Sequence, residues 1–216
     1  MSLSRFAKNH RYQTFKATAI RLRLKRGNAV AIFMITRDES IRIVREHVKN
    51  ENLVKHMIAV GAIMKGVANH FNEDQALWEA VGILHDIDYE EVGQDWTKHG
   101  AVSAEIVKGL LPEKGLHAIR AHNPQTGFNP EVKMDWSLYA ADGLSGLIIA
   151  QGLMMPDRKV ASVKASSLGK RMKDKSFARG VNRENILRCS EMGLQLEEFF
   201  QIGLSAMVTV ADELGL

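Results

Sequence analysis

Ala80-Val81-Gly82-Ile83-Leu84-His85-Asp86-Ile87-Asp88 is an apolar run that stops on charged residues. Ala76, Leu77, Ala80, Val81 and Leu84 recur at helical spacing, so the run reads as the buried end of an amphipathic helix. Leu84 must be buried, which leaves His85 and Asp86 at the helix terminus. The plain reading is a surface histidine followed by an aspartate that starts a turn. The chemical reading is that a neutral imidazole beside a carboxylate offers mixed nitrogen and oxygen ligands to one divalent ion. The rest of the chain has to decide between them.

Upstream, Thr36-Arg37-Asp38-Glu39 has the pattern of a capping box, and Ile41, Val44 and Val48 form the first apolar stripe after it. Leu53, Met57, Val60, Met64, Val67 and Phe71 form a second, longer stripe. Downstream of a polar loop over 88–96, Thr97 is expected to cap a helix carrying Val102, Ile106 and Leu110, which Pro112 ends. A short helix with Leu116 and Ile119 follows, then a loop at Asn123-Pro124-Gln125-Thr126-Gly127. A long helix over 132–154 stops before Pro156, and a C-terminal helix carries Leu196, Phe199, Phe200, Gly203, Met207 and Val210. There is no internal repeat and no period-two segment longer than a few residues. The fold expected is all-α.

At 216 residues and 45% hydrophobic content, the chain can bury a sizeable core in one domain. The single Cys189 excludes an internal disulfide and a thiolate zinc site, and suits the cytoplasm. The longest apolar run, Ala29 to Ile35, falls far short of the ~20 residues that span a bilayer. The chain's net charge of +4 belongs to one segment: residues 1–33 carry eight Lys or Arg and no acid. Removing those eight from 29 leaves 21 bases against 25 acids, so residues 34–216 are net −4. Basic arms and transit peptides share that composition, as does a stretch upstream of a natural start at Met34. The folded domain is expected over 34–216, with a C-terminal helical extension from about residue 157 and a basic N-terminal extension over 1–33.

Further histidines and acids stand at helical positions. His56 lies on the face of Val60, Ile63 and Val67, at offsets of four, seven and eleven, so its ring should point inward. His99 shares a face with Val102 and Ile106, and His122 with Ala118 and Ile119. Asp142, within Leu138-Tyr139-Ala140-Ala141-Asp142-Gly143-Leu144, shares a face with Leu138, Ser145 and Ile149. Burying an unpaired carboxylate costs several kcal/mol, so burial of Asp142 would require a metal or an arginine to meet it. A lone inward histidine is usually a hydrogen-bonded core residue; four of them with two embedded aspartates are hard to explain as packing. A divalent-metal site is expected.

In that order, His56, His85-Asp86 and Asp142 resemble the H…HD…D signature of the HD superfamily of metal-dependent phosphohydrolases. The resemblance covers roughly Thr36 to Met154 and is densest at Gly82-Ile83-Leu84-His85-Asp86-Ile87-Asp88. It implies a helical bundle of the HD-domain type in which those four side chains bind a metal. Some branches add two histidines that hold a second metal, and His99 and His122 occupy suitable places. Many small relatives read HDIG, where this chain has Asp88 in place of the glycine. The stretch Lys164 to Arg183 also resembles the tail of a bacterial or archaeal subgroup of HD hydrolases.

The resemblance implies hydrolysis of a phosphate ester by metal-activated water, with one or two divalent ions among Mn, Fe, Mg, Ni, Co or Zn. With two ions, Asp86 is the natural bridge. Lys98, next to His99, and Lys170, Arg171, Lys173, Lys175 and Arg179 are candidates to neutralise substrate charge; a solvated basic face is the alternative for the latter group. Asp88 is a candidate proton shuttle or a loop cap. The expected partner is a small phosphorylated molecule, a nucleotide first of all; a homodimer stays open, and neither a membrane nor nucleic acid is expected. The rivals are a di-iron oxygenase built on the same six ligands and a non-catalytic, metal-stabilised binding module.

Overall fold

The computed structural model describes residues 35–216 and, upstream, the backbone of two short antiparallel strands, β1 (Arg23–Lys25) and β2 (Asn28–Val30), paired Arg23 to Val30. Apart from that hairpin, the expectations for residues 1–33 and for a start at Met34 lie outside the described residues. The fold is all-α.

Helix α1 (Arg37–His47) opens on the capping box read from sequence: the Glu39 amide donates to Thr36 Oγ1 at 3.2 Å, and the Thr36 amide to Glu39 Oε2 at 2.9 Å. Helix α2 (Glu51–His70) is the central element. Val54, Met57, Ile58, Val60, Ile63, Met64 and Val67 bury nearly its whole circumference. Helix α3 (Gln75–Leu84), capped by Asp74, crosses α2 where Gly82 meets Gly61. A Cβ on Gly82 would stand 2.7 Å from Gly61 Cα, an approach only two glycines allow. Glu79, buried on α3, is met by Arg37 at 3.2 Å and Lys65 at 2.9 Å.

Short helix α4 (Tyr89–Val92) is tied to the start of α2 by Glu90, whose carboxylate accepts the amides of Lys49 and Asn50 at 3.0 and 2.8 Å. Helix α5 spans only Ala101–Ile106. Thr97 does not cap it: its hydroxyl donates to Asp95 at 2.6 Å, and Gly100, at φ +84°, holds the cap position. The acceptor comes instead from the distant Asp88, whose Oδ2 takes the amides of Gly100 and Ser103 at 2.7 and 2.9 Å. Leu110 therefore falls beyond the helix.

Helix α6 (Glu113–Ala121) begins after Pro112, and α7 (Lys133–Leu153) follows a single 3-10 turn. Asp135 fixes the start of α7 by accepting the amides of Glu131 and Val132 on Oδ2, and His117 Nδ1 reaches the same oxygen at 3.1 Å. That contact fastens α6 to α7. The remaining helices are α8 (Ala165–Lys173), α9 (Arg183–Leu187), α10 (Leu196–Val208) and α11 (Ala211–Leu214). Phe199, Phe200 and Met207 of α10 join one continuous core that runs from Ile43 to Leu214. Among the described residues, no helix is long and apolar enough to cross a membrane.

Candidate metal centre

Six side chains from five segments meet beside the α2–α3 crossing. His56 comes from mid-α2, His85 and Asp86 from the end of α3, His99 from the turn before α5, His122 from the end of α6, and Asp142 from α7. Asp86 is the hub: its Oδ1 lies 3.2 Å from His85 Nε2, 3.3 Å from His99 Nε2 and 3.2 Å from His122 Nε2. Its Oδ2 lies 3.7 Å from His56 Nε2, which is 3.1 Å from Asp142 Oδ1.

The second ring nitrogens assign the tautomers. His85 Nδ1 faces Gly82 O at 2.8 Å, His122 Nδ1 faces Ile119 O at 2.5 Å, and His99 Nδ1 faces Asp88 Oδ1 at 2.9 Å. His56 Nδ1 faces Ser145 Oγ at 3.1 Å, and that hydroxyl gives its own proton to Asp142 O at 2.8 Å. Each Nδ1 therefore carries a proton and donates it, which turns every Nε2 toward the same space. The Nε2 atoms of His99 and His122 stand 3.2 Å apart. Asp86 Oδ1 and His85 Nε2 are buried without a hydrogen-bond partner. Buried lone pairs left facing one another are costly, and a cation resolves them all at once. Imidazoles whose other nitrogen donates to a carbonyl or carboxylate are oriented as metal ligands are. His56, His85 and Asp142 form one group that could hold an ion, and His85, Asp86 and His122 another.

The proton affinities follow this crowding. Burial alone would suppress charge on His99, but the carboxylates of Asp86 and Asp88, 3.3 and 2.9 Å from its two ring nitrogens, outweigh it and lift the pKa to about 10. His56 is opposed by burial in the same way and is raised by Asp142. Burial wins at His85, which is lowered to about 4 and stays neutral. Burial works to raise Asp86, but His85, His122 and His99 hold it well below the usual carboxylate range. Protons thus occupy His99 where a metal would. Uptake of a divalent ion must expel that proton, so apparent metal affinity should climb with pH toward about 10. Calorimetric titrations of chelated protein across pH 6.5 to 9 check this, and a flat profile would contradict it.

Two expectations change. Asp142 is not sealed in: 35% of its side chain is exposed, against 8% for Asp86. The requirement for a cation rests on Asp86, because Asp142 sits at the mouth, where water reaches it. Asp88 is fully buried with both oxygens committed, Oδ1 to His99 and Oδ2 to the amides that begin α5, so it caps and orients and has no free oxygen to shuttle a proton. Asp88→Asn should lower metal affinity by about 10–100-fold with helix content retained, read by metal titration and circular dichroism.

Lys98 is half exposed and pairs with Asp95 at 2.5 Å. Arg171 is bound to Gln151 at 2.7 Å and to Asp174 at 3.3 Å and covers the Phe177 ring, while Lys170, Lys173, Lys175 and Arg179 are exposed. Sequence reading passed over Ser145 as the partner of His56, and Gly100. A Cβ on Gly100 would meet Ile119 O at 2.7 Å and the His122 ring at 2.9 Å. It also passed over the rings of Tyr89 and Trp96, each 5.5 Å from that of His99. Cys189 is buried, and burial pushes its thiol up to about 11, far from a nucleophile.

Comparison with the curated proteins and with the solved structures gives no significant match. The family model described as HD domain matches residues 53–146, a span that begins just before His56, ends just after Asp142 and contains all six converging side chains. Residues 53–146 are thus similar to the HD domain, consistent with a protein of the HD-domain superfamily.

Proposed function

We propose that the protein is a metal-dependent phosphohydrolase that cleaves a phosphate ester, with a nucleotide or small phosphomonoester as substrate. The observation that carries this reading is the buried, unpartnered Asp86 Oδ1 facing three Nε2 atoms, a donor set of neutral imidazole and carboxylate suited to divalent ions. His56, His85, Asp86 and Asp142 would hold one ion, and Asp86, His99 and His122 a second. Ions so bound supply an acidified water and positive charge for the phosphoryl oxygens.

The chain's own residues do the positioning. Asp88 keeps the proton on His99 Nδ1, Ser145 keeps it on His56 Nδ1, and Tyr89 and Trp96 shield the outer side of His99. Asp142, at the mouth, is the ligand nearest to an arriving substrate. Lys98 lies next to His99 in the chain and is proposed to meet substrate charge.

Protein loaded in turn with Mn, Fe, Mg, Ni and Co should hydrolyse at least one member of a panel of phosphomonoesters and nucleotides. The chelated protein should hydrolyse none. Inactivity across the panel with every metal would overturn the reading. The six-ligand set also suits two irons and oxygen chemistry; iron-loaded protein with visible absorbance and no hydrolysis would favour that second reading.

A further inference from the structure

Among the described residues, the six side chains of the centre are unevenly exposed. His85 is fully buried, the side chains of Asp86, His99 and His122 are 8% exposed or less, and Asp142 and His56 are 35% and 21% exposed. The mouth is therefore at Asp142, and what flanks Asp142 on α7 flanks the mouth. At 100° per residue, Ser145 lies about 60° from Asp142 on one side of the helix, with Gly146 about 40° and Gly143 about 100° away on the other. Ser145 meets His56 of α2. Gly146 meets the Val181 side chain, and Gly143 is so close to Asn182 O that a Cβ there would lie 2.9 Å from it. Val181 and Asn182, the end of the loop 174–182, thus flank the mouth on the side opposite α2.

That loop is built rigidly and carries uncompensated positive charge. The Arg183 guanidinium donates to the carbonyls of Arg171 at 3.3 Å, Asp174 at 2.9 Å and Val181 at 3.2 Å, and to that of Phe177, so one side chain stitches the end of α8 to the whole loop. Ala178 is held at φ +43°, a conformation an L residue keeps only when its surroundings impose it. The loop's one acid, Asp174, is consumed by Ser176, the Phe177 amide and Arg171. Lys175 and Arg179 are exposed and have no carboxylate partner among the described residues. Fixing a loop at such conformational cost is unneeded for a merely solvated charged face.

We propose that loop 174–182 is a binding element for a second anionic group of the substrate, with Lys175 and Arg179 as its contacts and Arg183 as its positioning residue. The inference rests on the hydrolase reading for the location of the reacting phosphoryl group and names the substrate class more narrowly. A monoester would place its only phosphoryl group among the six side chains, beside the Asp142 carboxylate, and leave the loop's cations without a phosphate. A substrate with a second phosphate can span that carboxylate, reaching the ligands with one group and the loop with the other. The class is a bisphosphorylated small molecule.

The test is equilibrium calorimetry on the full chain loaded with Mg²⁺, comparing adenosine 3′,5′-bisphosphate with adenosine 5′-monophosphate. The paired substitution Lys175→Ala with Arg179→Ala should weaken the bisphosphate at least tenfold and the monophosphate less than twofold. Arg183→Lys, which keeps the charge but cannot reach four carbonyls, should reproduce the selective loss. The pair Arg158→Ala with Lys159→Ala, exposed cations outside the loop, should change neither ligand. Equal affinity of the wild-type chain for both ligands, or equal losses for both in the Lys175 and Arg179 variant, would overturn the proposal. Affinity requires no turnover, so a selective loss with no hydrolysis would remove the hydrolase reading alone; hydrolysis without selectivity would remove the loop proposal alone.

Discussion

Asp86→Ala is expected to reduce hydrolysis by on the order of 10³-fold or more, because it removes the group that meets all four histidines at once. Three Nε2 atoms surround its Oδ1 at 3.2 to 3.3 Å, and a fourth stands 3.7 Å from its Oδ2. No single histidine has that reach: among the six, His56 Nε2 faces the two carboxylates, and His122 Nε2 faces Asp86 and His99. The fold should survive, since Asp86 lies in the turn after α3 and belongs to no apolar contact of the core. Asp86→Asn sharpens the test, because it keeps the shape while replacing a carboxylate oxygen with a group that donates to the lone pairs. Both variants should lose bound metal by elemental analysis and keep the circular dichroism of the parent. Retained turnover in either would remove Asp86 from the reaction.

Gly82→Val should be the most damaging substitution to the fold itself. The new Cβ would stand 2.7 Å from Gly61 Cα and 2.9 Å from Gly61 N, both backbone atoms, so α2 and α3 must separate. Forcing such a shift in a packed interior costs about 3 kcal/mol, a fall in melting temperature of roughly 6–12 °C for a chain of this size. The separation also pulls apart the rings of His56 and His85, now 5.4 Å between centroids, so metal retention should fall with the melting temperature. Gly61→Ala is the instructive contrast. Its Cβ would stand 2.5 Å from Ile83 Cγ1 and 3.1 Å from Glu79 O, so a buried side chain must shift while the two helix backbones need not part, and a smaller loss in a thermal melt is expected. Equal losses for the two would mean that the crossing is not set by backbone contact.

Local chemistry made much of this legible in the sequence. Thr36 and Glu39 are three residues apart and make their capping box unaided, and apolar spacing placed α1, α2, α3 and α7. The apolar spacing also singled out the four histidines and Asp142 that the structure brings together with Asp86. What escaped depends on partners far along the chain. Thr97 looks like a cap, but Asp88 reaches the amides of Gly100 and Ser103 first. Asp142 looked buried because its neighbours on α7 are apolar or small, yet the face it occupies opens at the mouth. Gly61 and Gly82 are ordinary residues of two apolar stripes until the helices cross, and the pairing of His117 with Asp135 joins helices whose packing no periodicity announces.

Asp88 holds His99 with one oxygen and the first turn of α5 with the other, so ligand geometry and local folding share one carboxylate. A proton or ion that reorients His99 alters the support of the Gly100 and Ser103 amides, and fraying of that turn releases the imidazole. Occupancy of the centre should therefore register in solvent exchange at two backbone hydrogens, those of Gly100 and Ser103. Those two amides form a built-in gauge of loading that can be followed without any substrate.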